Sequence, residues 1–173
     1  MMWIVILTYT ATIIIYYIFP NCQELRPDLE SLGRDNIFID IGDEQSLEND
    51  LSTYSSHLNN MKFFLKNGNH STLLIIDEFG SGTEPLIGGA IAEAELKRFN
   101  ENKCFGVINT HYTNLKHFAN HTEGVVNGAM LYDRHLMKPL FQLSIGNPGS
   151  SFAVEIARKI GLPEDVINHA AEI

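Results

Sequence analysis

The chain has 173 residues and a formal net charge of -9, so it is long enough for one domain with a hydrophobic core and too short for two ordinary ones. Hydrophobic residues make up 45% of the sequence, and the acidic balance argues against a basic surface that binds nucleic acid through its phosphates. The two cysteines, Cys22 and Cys104, are far apart and lack metal-ligand spacing, which favours a reduced, intracellular protein.

The N-terminal stretch is uncharged and apolar. Residues 1–23 contain no charged side chain, and residues 3–19 are long enough for a membrane-spanning helix. Their many Ile, Val, Thr and Tyr residues favour a strand instead, and no Lys or Arg precedes them as in a signal peptide. Three interpretations stay open: a membrane segment, a strand added to the sheet because Thr8, Thr10 and Thr12 alternate with apolar neighbours, or a leader created by a frameshift or alternative start.

From residue 36 onwards, strand and helix patterns alternate, so we divide the chain into a leader over residues 1–35 and an α/β domain over residues 36–173. We expect Ser150 or Ser151 to cap the first of two terminal helices, Gly161 to end it and Pro163 to begin the second. The predicted elements are strands over 36–41, 73–77 and 104–109, helices over 52–66, 86–100 and 114–119, and an antiparallel pair over 125–132 and 139–144.

Two carboxylates, Asp77 and Glu78, follow the apolar run 73–76, which reads as a central parallel strand. Ligands of open α/β sheets bind at this end of the strands. In a nucleoside triphosphatase the first acid holds Mg²⁺ and the second orients or deprotonates the attacking water. Because neighbouring strand residues point to opposite sides, the two acids are expected to have different roles. The alternative is a solvated strand end.

His111 follows the next predicted strand, and we expect it on the same rim as the acids, where it can hydrogen-bond a γ-phosphate. The glycines of Gly80-Ser-Gly-Thr83 allow the backbone to approach a phosphate or a second subunit closely. Ser52 and Thr53 precede a long helix, whose N-terminus is an anion site. A structural histidine and a simple N-cap are the alternatives for His111 and for Ser52.

These segments, in this order, resemble the ATPase domain of MutS proteins, domain V. The branch that the chain resembles most is the second bacterial MutS type, which often carries a C-terminal Smr nuclease domain. The resemblance covers residues 36–173. It rests on Asp40-Ile-Gly-Asp-Glu-Gln45, Leu51-Ser-Thr-Tyr-Ser-Ser-His57, Leu74-Ile-Ile-Asp-Glu-Phe-Gly-Ser-Gly-Thr83, Asn109-Thr-His-Tyr112 and the tail Gly146-Asn-Pro-Gly-Ser-Ser-Phe-Ala153.

The resemblance implies an ATP- and Mg²⁺-dependent site with the fold of P-loop and ABC-type ATPases, a parallel-rich sheet flanked by helices and followed by a helix pair. Asp77 is implied to be the Mg²⁺-associated acid, Glu78 the residue that activates water, and His111 the switch histidine.

The same resemblance implies a dimer of MutS-type subunits, identical or different, with composite sites at their interface. Ser52 and Thr53 are implied to belong to the signature segment that contacts the nucleotide of the opposite subunit. Gly80, Gly82 and Thr83 are implied to line the interface and the nucleotide.

One element of the family is missing. A phosphate-binding loop needs Gly-x-x-x-x-Gly-Lys-Ser/Thr, and none of the 13 glycines is followed by lysine. In the family this loop lies upstream of Asp40, where the chain has its leader. We therefore expect a partial ATPase fold that lacks the N-terminal strand, loop and helix, and weak or no ATP binding by the isolated chain.

Three functions follow from these expectations. The first is the distal half of a cytoplasmic, DNA-associated MutS-type ATPase, and this half is inactive alone. The intact protein would bind mismatched or branched DNA through other domains and serve DNA repair or suppression of recombination. A nuclease activity or a ribosome partner is also compatible with this branch. The second is an interaction module that supplies Ser52 to an intact MutS-type subunit. The third is a membrane-associated ABC-type subunit anchored through residues 3–19.

Overall fold

The computed structural model of the protein describes residues 4–8, 35–41, 53–133, 136, 138–149 and 153–171. Within these residues the structure is α/β. The strands are β1 (Ile4–Thr8), β2 (Asn36–Asp40), β3 (Thr72–Ile76), β4 (Phe105–Asn109), β5 (Val125–Asp133) and β6 (Lys138–Ile145). The helices are α1 (Thr53–Asn67), α2 (Pro85–Glu101), α3 (Thr113–His121), α4 (Ala153–Lys159) and α5 (Glu164–Ala171).

The six strands form one sheet in the order β2-β3-β4-β1-β5-β6. Neighbouring strands run parallel except β5 and β6, which form the antiparallel pair expected from the sequence. The expected fold class, a parallel-rich sheet flanked by helices with a C-terminal helix pair, is confirmed.

A segment of the apolar leader forms an interior strand of the sheet. β1 lies between β4 and β5, and Val5 stands opposite Val107 on one side and Val126 on the other. Residues 9–19, which complete the proposed membrane segment, lie outside the described residues. Among the helices that are described, none is long and apolar enough to cross a membrane.

The core lies where α1, α2 and α3 pack against the sheet. Successive residues of β3 point to opposite faces of the sheet, and both faces are buried along this strand, which explains why it is a continuous apolar run rather than an alternating one. On the β2 side, the ring of Phe38 stacks on Phe64 of α1, with ring centroids 5.1 Å apart. The largest fully buried apolar side chains are Leu74, Ile76, Leu96, Phe99, Ile108 and Leu115.

The two terminal helices begin and end near the residues that the sequence predicts. Gly161 follows α4 with φ +84°, and the Leu162 N–H donates to the carbonyl oxygen of Ala157 at 3.0 Å, as expected for a glycine that ends a helix. Pro163 precedes α5, and its carbonyl oxygen accepts from the N–H of Ile167 at 3.1 Å. Both predictions are confirmed. The predicted caps at residues 150 and 151 lie outside the described residues.

Candidate active site

Asp77 lies directly after β3 and is held by both neighbouring strands. Its N–H donates to the carbonyl oxygen of Asp40, the last residue of β2, at 2.8 Å. Its Oδ1 accepts from Asn109 Nδ2, at the end of β4, at 2.5 Å, and from the N–H of Glu78 at 3.0 Å. Within the described residues Oδ2 of this half-buried carboxylate accepts no hydrogen bond, so one oxygen stays available to a cation.

A turn after β3 gives Glu78 a backbone conformation and a side-chain exposure that differ from those of Asp77. β3 ends at Ile76, so both acids lie beyond the strand, and Glu78 adopts the left-handed conformation with φ +49°. A non-glycine residue in this region is strained, and such residues cluster at functional sites. The side chain of Glu78 is exposed. The expectation that strand alternation separates the two acids is therefore wrong, since the turn separates them.

The glycines after the acids make close contacts within the chain. Gly80 has φ +83°, and a Cβ there would lie 2.7 Å from Cε2 of Tyr112 and 2.8 Å from Cβ of Ala92. Tyr112 Oη donates to the carbonyl oxygen of Gly80 at 2.8 Å. Gly82 has φ +90°, and a Cβ there would approach Tyr54 within 3.3 Å. These contacts account for both glycines, and the predicted interface role of Gly80, Gly82 and Thr83 stays a prediction.

His111 lies two residues beyond the end of β4, and its side chain is exposed. The preceding Thr110 is fully buried, and its hydroxyl donates to the carbonyl oxygen of Phe79 at 3.0 Å. This contact ties the segment after β4 to the segment after β3. The structure therefore brings His111 to the edge of the sheet that carries Asp77 and Glu78, as the strand order requires.

The signature segment is described only in part. Ser52 lies outside the described residues, and Thr53 is the first residue of α1. The next residue, Tyr54, packs against Gly82. The N-terminus of α1 therefore contacts the loop that follows the acids of the same chain.

Four residues at this edge are not predicted as site residues by the sequence. Asn109 belongs to the motif around His111, and a polar residue at the end of a buried strand beside the acidic one is a usable signal for it. Asp40 is buried, and its Oδ2 lies 2.7 Å from His57 Nδ1 while its Oδ1 accepts from Asn60 Nδ2 at 2.9 Å. The sequence offered no comparable signal for this second cluster.

A small cavity between α1 and α2 is lined by His57, Tyr54 and Glu95, among others. Burial raises the pKa of Glu95 to about 7. Burial also raises the pKa of Tyr54, and the nearby carboxyl of Glu95 adds to that shift. Among the described residues the buried Tyr54 hydroxyl has no hydrogen-bond partner. The cavity is thus lined by one group from each helix, Tyr54 of α1 and Glu95 of α2, whose ionisation is disfavoured.

Comparison with known proteins shows the family of the chain. The family model of MutS domain V matches residues 29–173. This chain belongs to the MutS domain V family. It is 45% identical over 137 residues to the endonuclease MutS2 of Thermomicrobium roseum, which covers 79% of this chain and 17% of that protein. It is 46% identical over 138 residues to the endonuclease MutS2 of Clostridioides difficile, with 80% and 17% covered.

The matched relatives are much longer than this domain V chain. The endonuclease MutS2 of Thermus thermophilus is 41% identical over 136 residues, which are 79% of this chain and 18% of that protein. The chain thus spans less than a fifth of the length of these relatives. Membership of the family supports an ATPase domain and agrees with nucleotide and Mg²⁺ use in intact relatives.

The side chains of this domain V chain fit the carboxylate half of a site for Mg²⁺ and a phosphate ligand. Mg²⁺ is usually bound by one or two carboxylates, water and phosphate oxygens rather than by an all-protein cage. Asp77 and Glu78 supply such carboxylates. No group of three or more His, Cys, Asp or Glu side chains in the described part of the chain is arranged to hold a metal by itself. The phosphate half of the fit is incomplete, since the sequence contains no Gly-Lys pair.

Proposed function

We propose that the chain is the distal part of a MutS-type ATP-hydrolysing site. Asp77 is the acid associated with Mg²⁺, Glu78 orients and deprotonates the attacking water, and His111 hydrogen-bonds the γ-phosphate. Bound Mg²⁺ supplies charge neutralisation for the phosphates. The hydrogen bond from Asn109 to Asp77 carries this proposal, because it orients one carboxylate oxygen inward and leaves the other available at the edge shared with His111.

A protein of these 173 residues is proposed not to hydrolyse ATP by itself. The backbone N–H groups and the lysine of a phosphate-binding loop neutralise the β- and γ-phosphates. The sequence has no Gly-Lys pair, so Asp77 and Glu78 would meet a triphosphate with only Mg²⁺ to offset its charge.

We propose that the chain acts with an intact MutS-type subunit, to which it presents the N-terminus of α1. Free N–H groups at a helix N-terminus bind anions. Thr53 occupies this position, and Ser52 immediately precedes it in the sequence. The contact between Tyr54 and Gly82 supports the proposal, because it holds this end of α1 beside the loop that follows the acids. The Gly80–Thr83 loop and the helix pair α4–α5 are proposed to contact the partner subunit.

The wider activities are proposed for the intact protein and not for this domain. Its relatives are named endonuclease MutS2. Binding of mismatched or branched DNA, repair, suppression of recombination and contact with ribosomes are proposed to depend on other domains. The net charge of -9 supports this division, because an acidic surface repels nucleic-acid phosphates. A cytoplasmic location is part of the same proposal.

A complementation experiment tests the trans role. An intact MutS2 from Clostridioides difficile is prepared with its own signature serine replaced by alanine, so that its dimer hydrolyses ATP poorly. The 173-residue chain is then added, either unchanged or as Ser52→Ala, and ATP hydrolysis and co-purification are measured. We expect the unchanged chain to restore hydrolysis and Ser52→Ala to bind equally without restoring it. The chain alone, freed of contaminating ATPases, is expected to be inactive.

Three results would contradict the proposal. Restoration by Ser52→Ala would show that α1 does not act on the partner's nucleotide. Co-purification without restoration by the unchanged chain would leave only a passive association. Hydrolysis by the chain alone would remove the argument from the missing phosphate-binding loop.

A further inference from the structure

A carboxylate at the edge of the sheet joins α1 to the end of β2. Asp40 is 5% exposed. Its Oδ2 lies 2.7 Å from His57 Nδ1, and its Oδ1 accepts from Asn60 Nδ2 at 2.9 Å. An ionised carboxylate can only accept, so Nδ1 of His57 carries the hydrogen of this contact. Both oxygens of the carboxylate are therefore engaged by side chains one helical turn apart on α1.

The same residue holds the metal-associated acid through its backbone. The carbonyl oxygen of Asp40 accepts from the N–H of Asp77 at 2.8 Å. Oδ1 of Asp77 in turn accepts from Asn109. A continuous series of hydrogen bonds thus runs from β4 through Asp77 and Asp40 to His57, and so reaches the helix whose first residue is Thr53.

Apolar packing alone would hold α1 less specifically. Met61 and Phe64 of α1 are buried in the core, and such contacts are non-directional. Burying a carboxylate is unfavourable unless its hydrogen bonds are satisfied. Asp40 meets this condition only when His57 and Asn60 face it, so the contact selects one rotation and one axial position of α1.

We propose that Asp40 is a positioning residue that sets the N-terminus of α1 relative to Asp77, with His57 as its main contact on the helix. A shift of the Asp77 backbone would be transmitted to α1, and a shift of α1 would be transmitted back. In the dimer this links the acid of one nucleotide site to the trans-acting segment of the other. The positioning role rests on contacts within one chain, and only its meaning for the dimer rests on the proposed function.

Two substitutions at residue 57 separate hydrogen bonding from packing. His57→Asn retains an N–H near the position of Nδ1, whereas His57→Leu has similar bulk and no donor. Amide hydrogen exchange of the full chain is followed by NMR, without nucleotide, at Asp77 and at Ile76 within β3. We expect His57→Leu to accelerate exchange at Asp77 about tenfold relative to Ile76, as for the loss of one hydrogen bond to a charged group.

The controls make this result specific. His57→Asn is expected to keep exchange at Asp77 close to that of the unchanged chain. His117→Leu, on the exposed face of α3, is expected to leave it unchanged. Unchanged exchange at Asp77 in His57→Leu would overturn the proposal, and so would equal acceleration at Ile76, because that would mean uniform destabilisation.

A second variant covers the case in which His57→Leu does not fold. Asn60→Leu removes the other side-chain hydrogen bond to Asp40 and is expected to accelerate exchange at Asp77 in the same direction. Unchanged exchange there would also overturn the proposal. The hydrogen-exchange experiment uses no nucleotide and no partner subunit. Its result can therefore be interpreted even if the complementation experiment fails.

Discussion

The side-chain amide of Asn109 donates a hydrogen bond across 2.5 Å to Oδ1 of Asp77 and so joins the ends of β4 and β3. The donor is neutral, so it orients the carboxylate without cancelling its charge. That charge is what a Mg²⁺ ion requires. Asn109 is 4% exposed, so any change of its side chain acts on Asp77 through a buried contact.

Replacing this donor by an acceptor should destabilise the protein. In Asn109→Asp two carboxylates face each other, and we expect the free energy of unfolding at neutral pH to fall by about 1–3 kcal/mol, measured by urea denaturation. Asn147→Asp, which adds the same charge to an exposed side chain, is the control. Equal losses in the two variants would contradict the assigned contact.

The stability cost of adding a Cβ at Gly80, where the loop approaches Tyr112 closely, can be compared with the cost at a second glycine. Gly80 and Gly161 have nearly the same φ, +83° and +84°, but a Cβ at Gly161 would meet nothing within 4 Å. We expect both alanine variants to lose about 1–2 kcal/mol through backbone strain. Gly80→Ala should lose about 1–3 kcal/mol more through its clash with Tyr112 and Ala92. Equal denaturation midpoints would show that the loop moves away freely.

Glu95 should make stability depend on pH. Its pKa in the folded protein is about 7, above the ordinary 4.5, because burial disfavours the charged form. The folded state therefore binds more protons between these values, and its stability falls as the pH rises from about 4.5 to about 7. Glu95→Gln should be more stable than the unchanged chain at pH 8, with a smaller difference at pH 5.

The control for this titration is Glu101→Gln, which removes the same charge from an exposed residue of the same helix. We expect its stability difference from the unchanged chain to vary little between pH 5 and pH 8. Thermal denaturation at several pH values measures all three proteins. A constant difference for Glu95→Gln over this range would rule out its burial as the cause.

Cys104 should be unreactive in the folded protein. Its thiol is fully buried, and burial raises its pKa to about 11, so little of the reactive thiolate forms near pH 8. In a Cys22→Ser background, we expect a thiol reagent to label Cys104 slowly without denaturant and rapidly in urea. Fast labelling of the native protein would mean that the packing of Cys104 beside Gly68 opens readily.

Much of the fold is local in origin and follows from the sequence. The apolar run that ends in Asp77 forms β3, and the helix predicted over residues 52–66 is α1 with ends shifted by one residue. The parallel order of β3 and β4 then places His111 near the acids. Hydrophobic spacing, capping residues and glycine positions act over a few residues, so they can be read along the chain.

Tertiary structure alone decided which of these segments meet. Asn109 contacts Asp77 across 32 positions, and Asp40 contacts His57 across 17. The uncharged leader was compatible with a membrane helix or a strand, and its segment Ile4–Thr8 became β1 because β4 and β5 offer it hydrogen-bond partners on both sides. The periodicity of apolar residues indicates which side chains of a segment are buried. Which other segment lies next to it depends on the strand order and on side-chain directions, and these are fixed only when the whole sheet forms.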